Sequence, residues 1–169
     1  MNDEAFMRIA LELAARSAEE GEVPVGCVIT LGDRIVGEGR NRRETEKNAL
    51  CHAELEAIDM ACRALGGWRL WECSLYVTLE PCPMCAGAIV NARIPRVYYG
   101  APDPKNGCCG SVINLFELPL NHRPELIGGL LEDECAGLLT GFFQRLRLER
   151  PRRRKWTRPD NDGPAASET

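Results

Sequence analysis

Two short motifs constrain this chain more than any other feature, because they make chemical sense only together. His52-Ala53-Glu54 sits where an amphipathic helical pattern begins. Thirty residues on from His52, Pro81-Cys82-Pro83-Met84-Cys85 sits where a buried-strand pattern hands over to a second helix. Cysteines at i and i+3 on a first helical turn project the same way, and a helix N-terminus favours their ionised form. Zinc takes sulfur and nitrogen ligands in tetrahedral geometry, and a catalytic site supplies three from protein and leaves the fourth position to water. His52, Cys82 and Cys85 supply three.

Glu54 separates an enzyme from a metal clip. On a regular helix, residues i and i+2 do not share a face. His52 and Glu54 therefore reach one site only from an opening turn, where a carboxylate beside the metal's water can move protons. A lone CxxC also suits a redox pair, which has no use for Glu54. A structural zinc site needs a fourth protein ligand, and Cys108 or Cys109 could supply it. Cys51 is a poorer candidate, because it adjoins His52 and its side chain should point elsewhere. Met84, between the two cysteines, reads as packing.

The surrounding patterns predict an α/β domain, a sheet with helices on its faces. Apolar side chains at Phe6, Ile9, Ala10, Leu13, Ala14 and Ala18 predict a helix over 4–20, ended by Gly21. "VPVGCVIT" and "RIVGEG" read as strands around a Gly32-Asp33 turn, with a polar loop after them. A second helix is expected from near Cys51 to Leu65, stopped by Gly66-Gly67. "SLYVTL", "PRVYYG" and "PELIGGL" read as further strands, and Glu132 to Arg147 as a closing helix. Asp103 to Ser111 is a Gly/Pro/Asn-rich loop whose length suggests a functional surface.

At 169 residues, 44% hydrophobic and 27% charged, the chain suits one soluble domain with a real core. No apolar run approaches a membrane span and the N-terminus is acidic, so the expected compartment is the cytoplasm, with no membrane association. Nine cysteines, an odd number, read mainly as buried reduced thiols. The net charge of −4 hides an asymmetry: residues 145–158 hold eight Lys and Arg against one acid. That arm is either a solvated tail or a surface for a phosphate backbone. Residues 159–169 read as a disordered tail.

His-x-Glu followed by Pro-Cys-x-x-Cys is the signature of zinc-dependent nucleobase deaminases. With Val23-Pro24-Val25-Gly26, Gly39-Arg40-Asn41-Arg42, "LYVTLEPCPMCAGA", Asp103-x-Lys105-x-Gly107-x-x-Gly110-Ser111 and Asn121-His122-Arg123, the chain resembles the bacterial tRNA-specific adenosine deaminases. These belong to the cytidine-deaminase-like fold. The likeness runs from residue 22 to "GFFQRLR" at residue 141. It implies a three-layer α/β/α fold with a five-stranded mixed sheet, and a single deaminase domain over 1–158 that takes in the basic arm. It further implies a homodimer whose two sites are completed across the interface, one zinc per subunit, and conversion of adenosine to inosine at the wobble position of a tRNA anticodon stem-loop.

Carried over residue by residue, the resemblance makes His52, Cys82 and Cys85 zinc ligands and Glu54 the proton carrier. Asn41 would contact substrate, though a loop Asn also shapes turns. Ala53 would leave room for a base. Asp103, Lys105 and Asn106 would stand beside the anticodon nucleotides, where a loop carboxylate can equally be solvated. His122 is as readily a structural hydrogen-bonding group as a substrate contact. Phe142, Phe143 and the basic run from Arg145 to Lys155 are candidates for contacts to loop bases and phosphates, with core or dimer packing as the other role for at least one Phe. The thiols at Cys108-Cys109 depart from the family's usual small residues there. A deaminase of free guanine or cytosine shares the zinc motifs but needs neither basic arm nor Asp103 loop; a non-catalytic zinc module is a third possibility.

Overall fold

The β-branched and apolar run at Cys73–Leu79 forms β3, the middle strand of a five-stranded sheet, and six of its seven residues are buried. A strand covered on both faces needs apolar residues at every position rather than at alternate ones. The structure, a computed structural model, describes residues 2–149. The basic arm from residue 150 and the tail at 159–169 lie outside the described residues.

In chain order come α1 (Asp3–Glu19), β1 (Gly26–Leu31), β2 (Arg34–Arg40), α2 (Ala53–Leu65), β3, α3 (Pro83–Ala92), β4 (Arg96–Ala101), a 3-10 turn at Leu115–Glu117, β5 (Glu125–Gly128) and α4 (Glu132–Glu149). The sheet order is β2-β1-β3-β4-β5. β1 runs antiparallel to β2 and β3, while β3–β4 and β4–β5 are parallel. This is the expected mixed five-stranded sheet. α2 and α3 cover one face, over Cys27, Ile29, Leu75, Val77 and Val97. α1 and α4 cover the other, over Val28, Tyr76 and Ala101. The alternation along β1 and β3 sends successive side chains into the two layers.

Two boundaries differ from the sequence patterns. The first strand starts at Gly26 rather than Val23, because Val23 and Val25 carbonyls are engaged by Asn41 instead of a neighbouring strand. α2 starts at Ala53, with His52 as an N-cap in extended conformation. It ends at Gly66, whose φ of 68° is a left-handed conformation that glycine adopts without steric cost. Among the described residues, no helix is long and apolar enough to cross a membrane.

Candidate active site and metal centre

The parallel pairing of β3 and β4 places the N-terminus of α3 directly after the C-terminal end of β3. Pro83 occupies the first turn of α3, where a missing N–H costs nothing, and Cys82 is the N-cap. Cys85 follows one turn on. The start of α2 arrives at the same point, so its N-cap His52 faces both cysteines.

The Nδ1 atom of His52 lies 3.6 Å from the sulfur of Cys82 and 3.6 Å from that of Cys85. Zn–N and Zn–S bonds of ordinary length at a tetrahedral angle put N and S about 3.6 Å apart, so His52 is spaced from each sulfur as a zinc ion requires. They are the one group of three or more metal-ligating side chains found among the described residues. Cys51, Cys108 and Cys109 do not join it, which leaves the set at three. The residues fit a zinc ion with one coordination position free of protein.

The protonation pattern agrees with a site built for a cation. A hydrogen bond from the Cys85 thiol, with help from His52 and against the cost of burial, holds Cys82 down to about 4. Cys85 is driven the other way, first by that same bond to Cys82 and then by burial. The His52 imidazole is raised, chiefly by its hydrogen bond to Cys82. A metal takes thiols as thiolates and imidazole in its neutral form, so its binding would displace protons from this group.

Glu54 is 4% exposed and sits in the first turn of α2, with its carboxyl against Cys85. Burial pushes its pKa up to about 7, and the charge on Cys82 adds to this. A carboxyl that titrates near neutrality can both take and give a proton there.

A cavity of about 660 Å³ opens at these groups, with Cys85 outside its lining. Asn41, Ala53, Asp103, Lys105, Asn106 and Phe143 line it together with His52, Glu54 and Cys82. Phe142 and Arg145 do not. Phe142 is buried and meets Phe143 edge-on at 5.4 Å, so the pair divides into one packing ring and one cavity ring. Arg145 is exposed on α4, and Arg147 reaches the cavity in its place. The Asn41 side-chain amide donates to the Val23 carbonyl at 3.1 Å, which fixes its orientation at the cavity wall. Asp103 uses one carboxylate oxygen to cap the N–H groups of Lys105 and Asn106 at 2.9 and 3.2 Å. His122 lies 2.7 Å from the Ile94 carbonyl through Nε2 and does not line the cavity.

Two residues were missed by sequence reasoning. Arg43 lines the rim, but a loop arginine among other charges gives no pattern to read. Glu80 is 2% exposed and also lines the cavity. Its signal was available: a carboxylate directly after an apolar strand and before Pro-Cys.

Comparison with known proteins places these features in a family. Residues 1–101 match the family described as the cytidine and deoxycytidylate deaminase zinc-binding region. The tRNA-specific adenosine deaminase of Bacillus subtilis (strain 168) is 49% identical over 154 residues, spanning 90% of this chain and 96% of that protein. Its namesake in Agrobacterium fabrum is 46% identical over 145 residues, 85% of this chain and 95% of that protein. A solved structure from work on A-to-I editing by tRNA:A34 deaminases at the wobble position superposes with a TM-score of 0.78 at 46% identity, over 80% of this chain and 99% of that one. A guanine deaminase from Bacillus subtilis reaches a TM-score of 0.58 at 42% identity, over 60% of this chain and 66% of that one.

Proposed function

This chain belongs to the zinc-binding cytidine and deoxycytidylate deaminase family, among the tRNA-specific adenosine deaminases, and we propose that it hydrolyses adenosine to inosine at the wobble position of a tRNA anticodon loop. The observation that carries this reading is the clustering of His52, Cys82 and Cys85 beside buried Glu54, with His52, Cys82 and Glu54 lining one cavity. The near full-length likeness to tRNA-specific adenosine deaminases supports the choice of substrate.

His52, Cys82 and Cys85 would hold the zinc. When bound, the metal supplies Lewis-acid activation of water at neutral pH. Glu54 takes a proton from the attacking water and delivers it to N1 of the adenine ring. Water oxygen bonds to C6, the C6–N6 bond breaks, and ammonia leaves with a second proton carried by Glu54. Adenosine and water thus become inosine and ammonia. Asn41 orients the base from the cavity wall, and Ala53 keeps the floor shallow enough to admit it. Arg43, Lys105 and Arg147 give the rim positive charge for flanking phosphates. Phe143 offers a face for an unstacked neighbour. An anticodon base is already unpaired, so drawing it in costs chiefly stacking, about 1–3 kcal/mol.

The protein acts in the cytoplasm as a homodimer. Leu50, Val112, Ile113, Leu118 and Leu120 are large apolar side chains left exposed, and they support a partner subunit covering them. One experiment tests the substrate. Zinc-loaded protein is offered an anticodon stem-loop with adenosine at the wobble position, beside free guanine, cytosine and adenosine. Inosine in the stem-loop is expected; deamination of free base alone would show a nucleobase deaminase instead.

A further inference from the structure

Glu80 carries no part in the chemistry above, yet its carboxylate is the most heavily hydrogen-bonded side chain around the cavity. Oε2 accepts from the Asp103 N–H at 2.9 Å and from the Ser111 hydroxyl. Oε1 accepts from the Cys109 N–H at 2.8 Å and the Ser111 N–H at 3.1 Å. No salt bridge to Glu80 is found among the described residues, so its charge is met by these dipoles. A carboxylate can accept this many donors; an amide cannot, because one of its two ends carries hydrogens.

All four donors come from residues 103–111. The loop closes over the carboxylate so tightly that a Cβ on Gly107 would collide with Oε2. Two backbone bonds hold the same stretch of chain: Glu80 N–H to the Ala101 carbonyl at the end of β4 at 2.9 Å, and the loop's Cys108 N–H to the Pro81 carbonyl at 2.9 Å. Glu80 is joined through Pro81 to Cys82. The turn that presents the cysteines and the loop that presents Asp103, Lys105 and Asn106 are therefore held in one register by a single buried side chain.

We propose that Glu80 is a positioning residue: by holding loop 103–111 against the start of α3, it sets how tightly the RNA loop is gripped while the base is presented to the reacting groups. This rests on the anticodon-loop reading of the substrate. Among the described residues no hydrogen bond joins the metal-ligating side chains to the 103–111 donors, so loosening the loop should weaken substrate binding before it affects turnover or metal retention.

The test compares wild type, Glu80→Gln and Ser111→Ala as zinc-loaded proteins on the wobble-adenosine stem-loop. Zinc content and amide hydrogen exchange are measured alongside kcat and KM. Glu80→Gln leaves at least one N–H facing an amide N–H, so KM should rise about tenfold with kcat within about threefold and zinc retained. Exchange should accelerate at the amides of Asp103, Cys109 and Ser111. Ser111→Ala removes one donor and should move KM and exchange the same way by a smaller factor; it decides the matter alone if Glu80→Gln does not fold. An unchanged KM, a fall in kcat at constant KM, or zinc loss tracking the activity loss would overturn the inference. Absence of inosine with wild type would instead overturn the substrate reading, and the exchange comparison would still report on the loop.

Discussion

Gly39 of β2 backs directly onto Ala53 of α2: a Cβ at position 39 would collide with the Ala53 carbonyl oxygen and lie 2.7 Å from the Ala57 nitrogen. Two residues earlier, Gly37 stands in the same relation to the Ala57 carbonyl. Glycines on the strand and alanines on the helix bring the two backbones close, and that approach fixes where α2 begins. His52 is the N-cap of this helix and Glu54 lies in its first turn, so the sheet positions both through Ala53. Gly39→Ala puts a methyl group against backbone that has no room to give. We expect a loss of about 3 kcal/mol or more in unfolding free energy, with weakened zinc retention. Gly67→Ala, where nothing lies within 4 Å, is the control and should leave both unchanged. Thermal denaturation and metal analysis of the two variants give the comparison.

Glu54 should be separable from the metal. Its carboxyl is buried and titrates near 7, yet it is not one of the three clustered ligands. Glu54→Gln preserves shape and removes the proton-carrying function, so zinc should remain at one per subunit while kcat falls about 10²–10⁴-fold. Turnover at the wild-type rate in this variant would rule out the proton-carrying role.

The ligand set makes its own prediction. Cys108 is 1% exposed and Cys109 is buried, but neither joins the group around His52. A Cys108→Ser/Cys109→Ser double variant should keep its zinc, whereas Cys82→Ser or His52→Ala should lose it. Prolonged chelation of the wild-type protein should abolish activity, and zinc alone should restore it. Metal loss from the double variant would mean a four-ligand structural site.

What could be read from sequence was the part written in local spacing. The two motifs, the strand at Ser74–Leu79 and the stop at Gly66 all follow from short-range rules of periodicity and backbone freedom. The division of labour between Phe142 and Phe143 did not, because two adjacent aromatic residues on a helix give no sign of which one faces a loop from elsewhere in the chain. Arg145 and Arg147 posed the same problem: on α4 they are two residues apart, and only the placement of the helix against β4 and the 102–106 segment decides which reaches the cavity. The position of Glu80 after an apolar strand was legible, but its role was not, because its partners lie 23 to 31 residues downstream. His122 could not be assigned until its 2.7 Å contact with the Ile94 carbonyl was seen.

Burial of thiols on the α4 side and at the start of β3 predicts sensitivity to alkali. Cys135 and Cys73 are each 1% exposed, and burial, the main cause in both, pushes their pKa values up to about 11. In the unfolded chain these thiols ionise near about 8.5. Between about pH 8.5 and 11 the folded state therefore keeps protons that the unfolded state has released. The sign is fixed by that difference: the contribution is fully present below the unfolded value and is lost as pH rises toward the folded one, at up to about 1.4 kcal/mol per pH unit for each thiol. The unfolding midpoint of the reduced protein should fall steadily above about pH 9. Cys135→Ala, outside the metal-ligating group and in the core layer on the other face of the sheet, should make that fall shallower without altering zinc content. An equal slope in wild type and variant would show that burial of Cys135 is not its cause.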